Sequence, residues 1–277
     1  MLKILAFGDL LGNTKNTKKL LNLPLENFDA IAFLGDIPDP QMFKDLRMKK
    51  VLSGETNLSA LMEGTKPPEG LRRALKEVGE NAKVFKLINQ RKNLFSILGN
   101  ADLMYYTQKI DLTKSTKLLH KRTIGIGEYT IVGFNGRPSY IFESSNPDEQ
   151  VFSEKQIYDE LAPILDKTDS NFTVLLTHCP PHGILDQVNI LHREYAIKTY
   201  GDKAKDGHIG SLGLRKLVDK FKPAIHLFGH IHEAKGTYVS GKSIFINVGS
   251  LGESHEYVIL TKQNNQTEVT FNSLASH

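Results

Sequence analysis

Five short apolar segments, each followed directly by a polar side chain able to bind a metal ion, constrain the fold of this chain most. They cover residues 2–7, 29–34, 94–98, 172–176 and 224–228. Short apolar runs bounded in this way are typical of buried strands. Glycine stands beside the polar residue in four of the five cases, which lets the backbone turn sharply there. The pattern predicts polar side chains that gather beyond the carboxyl edge of one sheet.

Helical patterns separate these segments, at residues 15–23, 71–88, 153–165 and 212–221. The third of them begins with Ser153, followed three residues later by Gln156, which indicates a capping box. Strands that alternate with helices predict a layered α/β core, with ligands bound in the crevice beyond the strand ends.

After residue 233 the sequence shows strand patterns alone. Residues 236–239 and 243–248 flank Ser240-Gly241, a hairpin signal, while 256–262 and 267–272 flank a polar turn, and 122–134 also has a strand pattern. We therefore predict a mainly antiparallel second sheet packed on the first, with helices outside. We predict a single domain over 1–277, with a helical insert at about 41–92 and a long loop at about 184–208. Connections of this length inside a compact domain are usually functional or mobile.

Composition excludes several classes of protein. No apolar run approaches the roughly 20 residues that cross a bilayer, so we expect no membrane segment. The first residues do not resemble a signal peptide, and the single cysteine, Cys179, excludes an internal disulfide; both favour a cytoplasmic location. The formal net charge of +4 suits an anionic substrate but is too small to indicate nucleic-acid binding by itself.

His230 and His232 leave the end of the last apolar segment one residue apart, and such side chains point the same way in an extended backbone. Two solvated histidines on a loop would show the same pattern, so the other strand ends decide. Those ends add carboxylate, amide and imidazole groups: Asp9, Asp36, Asn100 and His178. Nitrogen and oxygen ligands without a thiolate fit manganese, iron or zinc. A carboxylate that bridges two ions roughly 3.5–4 Å apart is the arrangement used for phosphate-ester hydrolysis.

The strand ends resemble the five signature blocks of the calcineurin-like metallophosphoesterases, in the order of that family: Gly8-Asp9, Gly35-Asp36, Gly99-Asn100, Thr177-His178 and Gly229-His230-Ile231-His232. The resemblance covers roughly residues 2–252 and includes 247–250. It implies an α/β fold, a four-layer sandwich of two mixed β-sheets flanked by helices. It also implies two divalent metal ions. Asp9, Asp36 and His232 would hold one ion and Asp36, Asn100, His178 and His230 the other, with Asp36 as the bridge.

The chain departs from the family pattern at two positions. The first block of the family usually has a histidine that binds a metal ion, and this chain has Leu11 at that position. The third block usually has a histidine where this chain has Ala101, and that imidazole contacts the scissile phosphate and helps the leaving group depart. Asp102 occupies the position that orients the missing histidine. The resemblance thus places Asp36, Asn100 and Asp102 among the catalytic residues.

Two further histidines are candidates for a role at the substrate. His208 precedes Ile209-Gly210-Ser211 at a predicted helix start, where backbone amides favour a phosphate; a plain helix start would look the same. His182 follows two prolines and is either a site residue or part of a surface turn. We predict Asn100, His182 and His208 as substrate-binding and His208 also as catalytic. If neither His182 nor His208 supplies the missing proton, the rate should depend steeply on the leaving group.

Three functions remain open from the sequence. The first is a metal-dependent phosphoesterase that hydrolyses a phosphodiester or a nucleotide-like phosphate, with in-line attack by a metal-bound hydroxide. The second is a regulatory module with weakened metal sites, because a fold alone does not fix activity. The third is a nuclease, which would need a basic stripe where this chain has scattered lysines. We expect a small phosphate ester as partner and no membrane; nucleic acid is less favoured, and the oligomeric state is open.

Overall fold

The structure is a computed structural model that describes residues 1–40, 69–103, 110–139, 150–189, 201–264 and 266–274, together with Glu194 and Ile197. Its strands are β1 (Leu2–Phe7), β2 (Ala30–Phe33), β3 (Leu94–Ser96), β4 (Lys117–Leu118), β5 (Arg122–Ile126), β6 (Tyr129–Phe134), β7 (Arg137–Pro138), β8 (Val151–Phe152), β9 (Thr173–Thr177), β10 (Ile225–Phe228), β11 (Gly236–Ser240), β12 (Ser243–Asn247), β13 (Glu256–Gln263) and β14 (Gln266–Ser273). Its helices are α1 (Thr14–Lys19), α2 (Glu69–Arg91), α3 (Glu154–Leu165) and α4 (Leu212–Phe221).

Two mixed, six-stranded sheets form the centre of the fold. The first sheet has the order β14-β13-β1-β2-β3-β4 and the second has the order β11-β12-β10-β9-β6-β5. In the first sheet β1 to β4 run parallel, and in the second sheet β6, β9, β10 and β12 do; antiparallel hairpins complete both. The strands that carry the predicted ligands are therefore divided, three in the first sheet and two in the second.

The predicted arrangement of the C-terminal strands is wrong. The hairpin β11–β12 extends the second sheet beside β10, whereas the hairpin β13–β14 joins the first sheet beside β1. The predicted strand at 122–134 is also a hairpin, β5–β6, which turns at Gly127. Which strand each hairpin pairs with depends on packing against distant parts of the chain, and a local pattern of apolar residues does not report that packing.

Three apolar clusters separate four layers of structure. Alternate side chains of β1 point to opposite faces, so that Leu5 and Phe7 belong to a first cluster with helix α2 while Ile4 and Ala6 lie between the sheets. A third cluster packs α3 and α4 on the outer face of the second sheet. The order helices, sheet, sheet, helices confirms the α/β sandwich of two mixed sheets that the family resemblance implies.

The described part of the predicted insert is a core helix. Helix α2 buries Leu71, Val78 and Phe85 in the first cluster, while residues 41–68 lie outside the described residues. The long loop is described at 184–189 and 201–208, with Glu194 and Ile197 between, and the single domain stays a prediction. None of the helices in the described ranges has the length and apolar character that crossing a bilayer requires.

Helix α3 begins with the predicted capping box. The Ser153 hydroxyl accepts the Gln156 N–H at 3.1 Å, and the Gln156 side-chain oxygen accepts the Ser153 N–H at 2.8 Å. Each bond satisfies a backbone donor that a helix start leaves without a partner. The local pattern therefore located this helix start correctly.

His226 is a fully buried histidine in β10, packed against the rings of Phe228 and Phe245. The Thr177 hydroxyl donates to the Cys179 carbonyl at 2.7 Å, so its oxygen accepts a hydrogen bond from His226 Nε2 at 2.8 Å. This arrangement fixes the neutral imidazole with its proton on Nε2. Burial lowers the pKa of His226 to about 3, because the interior does not solvate an imidazolium.

We expect the free energy of unfolding to fall as the pH drops below the ordinary histidine range. The unfolded chain protonates His226 near the ordinary histidine pKa of 6.5, while the folded chain resists until about 3. The contribution of neutral His226 to the free energy of unfolding is therefore fully present above that range and decreases by about 1.4 kcal/mol per pH unit below it. His226 should therefore make the free energy of unfolding, measured in urea, about 2 kcal/mol lower at about pH 5 than at about pH 7. In His226→Leu the difference should shrink by that amount; an unchanged difference would contradict the assignment.

Candidate metal centre

Three of the predicted ligands have a left-handed backbone. Asp9, Asp36 and His230 have φ values of +51°, +60° and +69°. Residues other than glycine rarely adopt this conformation, which costs of order 1–3 kcal/mol where the surrounding structure must enforce it. The turns directly after β1, β2 and β10 are thus strained at the residues that the sequence assigns to metal binding. Strain that is concentrated in this way is typical of functional sites.

Two glycines make room for the ligand carboxylates. A Cβ atom at Gly99 would collide with the carboxylate of Asp36, and one at Gly229 would collide with the carboxylate of Asp9. Each glycine lies in a loop from a different strand than the carboxylate that it admits. The loops therefore approach each other closely because the glycines lack side chains.

Asp36, His178 and His230 form the centre of the candidate site. Their ligand atoms all lie within 4.8 Å of one another. His178 Nε2 lies 3.4 Å from Asp36 Oδ2 and 3.2 Å from Asn100 Oδ1, so that Asn100 joins the same group. The other oxygen of Asp36 accepts the Ala101 N–H at 2.8 Å, which fixes the carboxylate. Four side chains from both sheets thus converge as the sequence predicts.

Asp9 and His232 form a second pair beside this group. His232 Nε2 lies 3.0 Å from Asp9 Oδ1, while Asp9 Oδ2 accepts the backbone N–H of His230 at 3.2 Å. The His230 backbone therefore connects the pair to the first group. Leu11 lies half-buried in the same loop as Asp9 and donates its N–H to the Asp36 carbonyl at 3.3 Å. Its side chain offers no ligand atom.

Two imidazoles of the site, those of His178 and His232, are oriented by hydrogen bonds from their second nitrogen. Nδ1 of His178 bonds to the Leu34 carbonyl at 2.8 Å, and Nδ1 of His232 bonds to the carboxylate of Glu253 at 2.8 Å. Nε2 is therefore the nitrogen of each ring that faces the carboxylates of the centre. Metal-binding histidines are oriented in the same way in proteins.

The end of β12 and the segment that follows it hold the ligand loops together. Ser250 donates its hydroxyl to the Asp9 carbonyl at 2.8 Å, and the Asn247 side chain donates to the Ile231 carbonyl at 2.9 Å. Glu253, the partner of His232, follows in the same segment. Sequence reasoning singled out 247–250 but missed Glu253, because a glutamate on a turn carries no pattern of its own.

The electrostatics of the site favour a bound cation. Burial alone would raise the pKa of Asp36, but His178 outweighs it and lowers the pKa to about 2. Burial would lower the pKa of His178 and of His232, but Asp36 and Asp9 respectively raise these pKa values to about 9 and about 10. Positive charge is therefore stabilised beside both carboxylates, where a divalent ion would replace the protons. Carboxylate, amide and imidazole donors fit manganese, iron or zinc.

Asp102 has a different environment from the one that the resemblance implies. Its Oδ2 accepts the N–H groups of Asp36 at 2.7 Å and Gly99 at 2.8 Å, and its Oδ1 accepts the N–H of Ile37 at 2.9 Å. Burial and the charge of Asp36 raise the pKa of Asp102 to about 7. Asp102 thus supports the Asp36 loop, while the neighbouring Ala101 is fully buried in the first cluster.

His182 and His208 meet at an aspartate that sequence reasoning missed. Asp186 is fully buried; His208 Nδ1 lies 2.6 Å from its Oδ1, and His182 Nδ1 lies 3.7 Å from its Oδ2. The N-terminus of α4, predicted to favour a phosphate, is instead capped by Glu154, which accepts the Gly213 N–H at 2.8 Å. A phosphate role for His208 therefore has to depend on its imidazole.

A buried arginine adds positive charge near the ligands. The pKa of His230 is lowered well below the ordinary value by burial first, then by His178, with a further contribution from Arg137. Arg137 is buried at the start of β7, and it follows Asn135-Gly136 at the end of β6. A polar residue that follows a strand and a glycine is the same signal that located the ligands, and it could have located Arg137.

Two known proteins are similar in sequence to parts of this chain. The chain is 32% identical over 98 residues to UPF0046 protein K07C11.7 of Caenorhabditis elegans, which is 35% of this chain but only 28% of that protein. It is 25% identical over 175 residues to the uncharacterized protein MJ1162 of Methanocaldococcus jannaschii, 61% of this chain and 71% of that protein.

A solved structure shares the whole fold. The crystal structure of TT1561 of Thermus thermophilus aligns with a TM-score of 0.60 over 99% of both chains at 16% identity. The model of the calcineurin-like phosphoesterase family matches residues 2–234, which contain all six predicted metal ligands. The chain therefore belongs to the calcineurin-like phosphoesterase family.

Proposed function

We propose that this protein is a metal-dependent phosphoesterase that hydrolyses a phosphodiester or a nucleotide-like phosphate. The observation that carries the proposal is the group of Asp36, His178 and His230, whose ligand atoms lie within 4.8 Å of one another at the facing strand ends. Membership of the family supports phosphate-ester hydrolysis in general. The protein's positive net charge of +4 suits an anionic substrate.

Two divalent ions, manganese, iron or zinc, fit the ligands of the site. Asp36 would bridge them, with Asn100, His178 and His230 on one side and Asp9 and His232 on the other. Such ions, when bound, neutralise charge on the phosphoryl oxygens and activate water. Glu253 and the Leu34 carbonyl fix the imidazoles of His232 and His178, so these ligands need little reorganisation to bind.

A second candidate function is a regulatory module that binds metal or phosphate with little turnover. Leu11 and Ala101 favour it, because neither provides the imidazole that the family usually has at these positions. A nuclease is less favoured, since the sequence shows scattered lysines rather than a basic stripe.

Titration of metal-free protein with manganese should distinguish the two functions. We expect two unequal binding steps, with the tighter ion at the four-ligand group and the weaker one at Asp9, Asp36 and His232. Hydrolysis of an aryl phosphodiester should appear with the metal and disappear with a chelator. Leu11→His should strengthen the weaker step, because it adds a ligand. Binding without hydrolysis of any ester would favour the regulatory module, and two equal steps that Leu11→His leaves unchanged would contradict the assignment of ligands.

A further inference from the structure

We propose that His208, held by the buried carboxylate of Asp186, donates the proton to the leaving oxygen in place of the imidazole that Ala101 lacks. This inference depends on the proposed phosphoesterase function. It also narrows the substrate class, because a proton donor matters most for an ester whose leaving group is a weakly acidic alkyl alcohol.

Asp186 is built to hold an imidazole. Its side chain is fully buried, and its Oδ2 accepts the N–H groups of Gly183 at 3.0 Å and Gly210 at 2.8 Å. Its Oδ1 faces His208 Nδ1 at 2.6 Å. Because the carboxylate accepts a hydrogen bond from Nδ1–H, Nε2 is the nitrogen of His208 left for other chemistry. A carboxylate that orients a histidine through Nδ1 is the arrangement that proteins use for acid and base catalysis.

The pair lies on a loop that begins at a metal ligand. Residues 180–188 continue the chain from His178, and residues 207–211 run beside them. Backbone hydrogen bonds join the two segments, from Ser211 to Pro180 at 2.9 Å, from Ile209 to Asp186 at 3.2 Å and from Val188 to Gly207 at 2.9 Å. The position of the Asp186–His208 pair is therefore fixed relative to the His178 loop.

Three contacts fasten the same loop to the segment that carries His230 and His232. Ile209 and Ala204 form an apolar cluster with Ile231, which stands between the two histidines. The Asn247 side chain donates to the Leu185 carbonyl at 3.1 Å and to the Ile231 carbonyl at 2.9 Å. The Asn189 N–H donates to the carboxylate of Glu233. These contacts place the pair beside the segment that carries His230 and His232.

Other histidines of the described residues are less suited to this role. Position 101 is closed to an imidazole, because the Ala101 side chain is fully buried in the first cluster. His226 is packed in the core and His120 is partly buried against Phe134 and Phe152, and burial lowers their pKa values to about 3 and about 4. His182 lies farther from Asp186, at 3.7 Å, than His208 does. The side chain of His208 is 34% exposed and so remains accessible to a substrate.

In the proposed step, the oxygen of a water molecule forms a bond to phosphorus as the bond between phosphorus and the leaving oxygen breaks. The electron pair of the broken bond goes to the leaving oxygen, and the proton on His208 Nε2 moves to it, which releases a neutral alcohol. The attacking water loses a proton to solvent, and His208 regains one from solvent. Asp186 stays ionised throughout and stabilises the protonated imidazole.

The test is a series of phosphodiesters with leaving groups from activated aryl to alkyl, assayed with the manganese-loaded protein. We expect a shallow dependence on leaving-group acidity in the native protein. In His208→Ala and His208→Gln the alkyl esters should lose about 10²–10⁴-fold in kcat, while the most activated aryl ester changes little. Asp186→Asn should move the native series in the same direction. His255→Asn, at a histidine outside the site, should leave the series shallow.

Two readouts besides activity separate the proposal from a structural role. Manganese titration of both His208 variants should match the native protein, which shows that the metal centre is intact. Nitrogen NMR of the metal-free protein should show the His208 proton on Nδ1, and Asp186→Asn should change that signal.

Equal slopes in the native protein and in the two His208 variants would overturn the role of His208, as would an imidazole proton on Nε2 alone. If the loaded protein hydrolyses no ester, the proposed function fails and this inference fails with it.

Discussion

Asp36→Asn should abolish the binding of both proposed metal ions and, with it, the proposed hydrolysis. Among the residues that the structure describes, Asp36 is the carboxylate grouped with both His178 and His230, as the bridging role requires. Its loss removes a charge from both sites and leaves two cations less screened from each other. We expect the metal affinity to fall by more than the roughly 10–100-fold that loss of an outer-shell partner causes. Calorimetric titration with manganese measures this directly.

The fold of Asp36→Asn should persist, because an asparagine oxygen can still accept the Ala101 N–H that Asp36 accepts at 2.8 Å. The matched control is Asp219→Asn, which makes the same change in an ion pair with Arg215 on the surface of α4. That variant should bind manganese like the native protein. Two bound ions and most of the activity in Asp36→Asn would show that Asp36 is not the bridge.

The gathering of the ligands was predictable because it follows from a local rule. A polar residue at the carboxyl end of a parallel strand lies at the edge of its sheet, whichever neighbours the strand has. Asp9 and Asp36 follow strands of the first sheet, and His178 and His230 follow strands of the second. They still converge, because the carboxyl ends of both sheets meet on the same side of the sandwich. The site was therefore predictable although the sheet assignment was not.

Residues that act through distant partners were not predictable. Asp186 and Glu253 carry no motif, and the role of each depends on a histidine from another part of the chain. His208 shows the same limit: the prediction of a phosphate at the helix start rested on local order, whereas Glu154 caps that helix from 59 residues away. Hydrogen bonds between distant segments depend on the folded arrangement, which local periodicity does not report.

Asp102→Ala should destabilise the protein strongly, because the carboxylate of Asp102 holds the loop that carries Asp36. The carboxylate accepts three backbone N–H groups, those of Asp36, Ile37 and Gly99, and all of them are buried bonds. Each buried donor left without a partner costs about 1–3 kcal/mol, so we expect a loss of at least about 3 kcal/mol. The pKa of Asp102, raised to about 7, indicates that burying its charge costs free energy. Removal of the carboxylate recovers that cost, so the net loss stays below the summed upper costs of the three unpaired donors.

Urea unfolding in the presence of a chelator measures this effect without the contribution of bound metal. Asp29→Ala is the matched control, since Asp29 accepts a single backbone N–H, from Lys3 at 2.7 Å, at the opposite end of β2. It should lose only about 1 kcal/mol. Asp102→Asn should fall between the two, because an amide presents one acceptor and turns its NH₂ group toward another donor. If Asp102→Ala unfolds like the Asp29 control but loses hydrolysis, Asp102 acts in catalysis, as the family resemblance implies, rather than in holding the metal-binding loop.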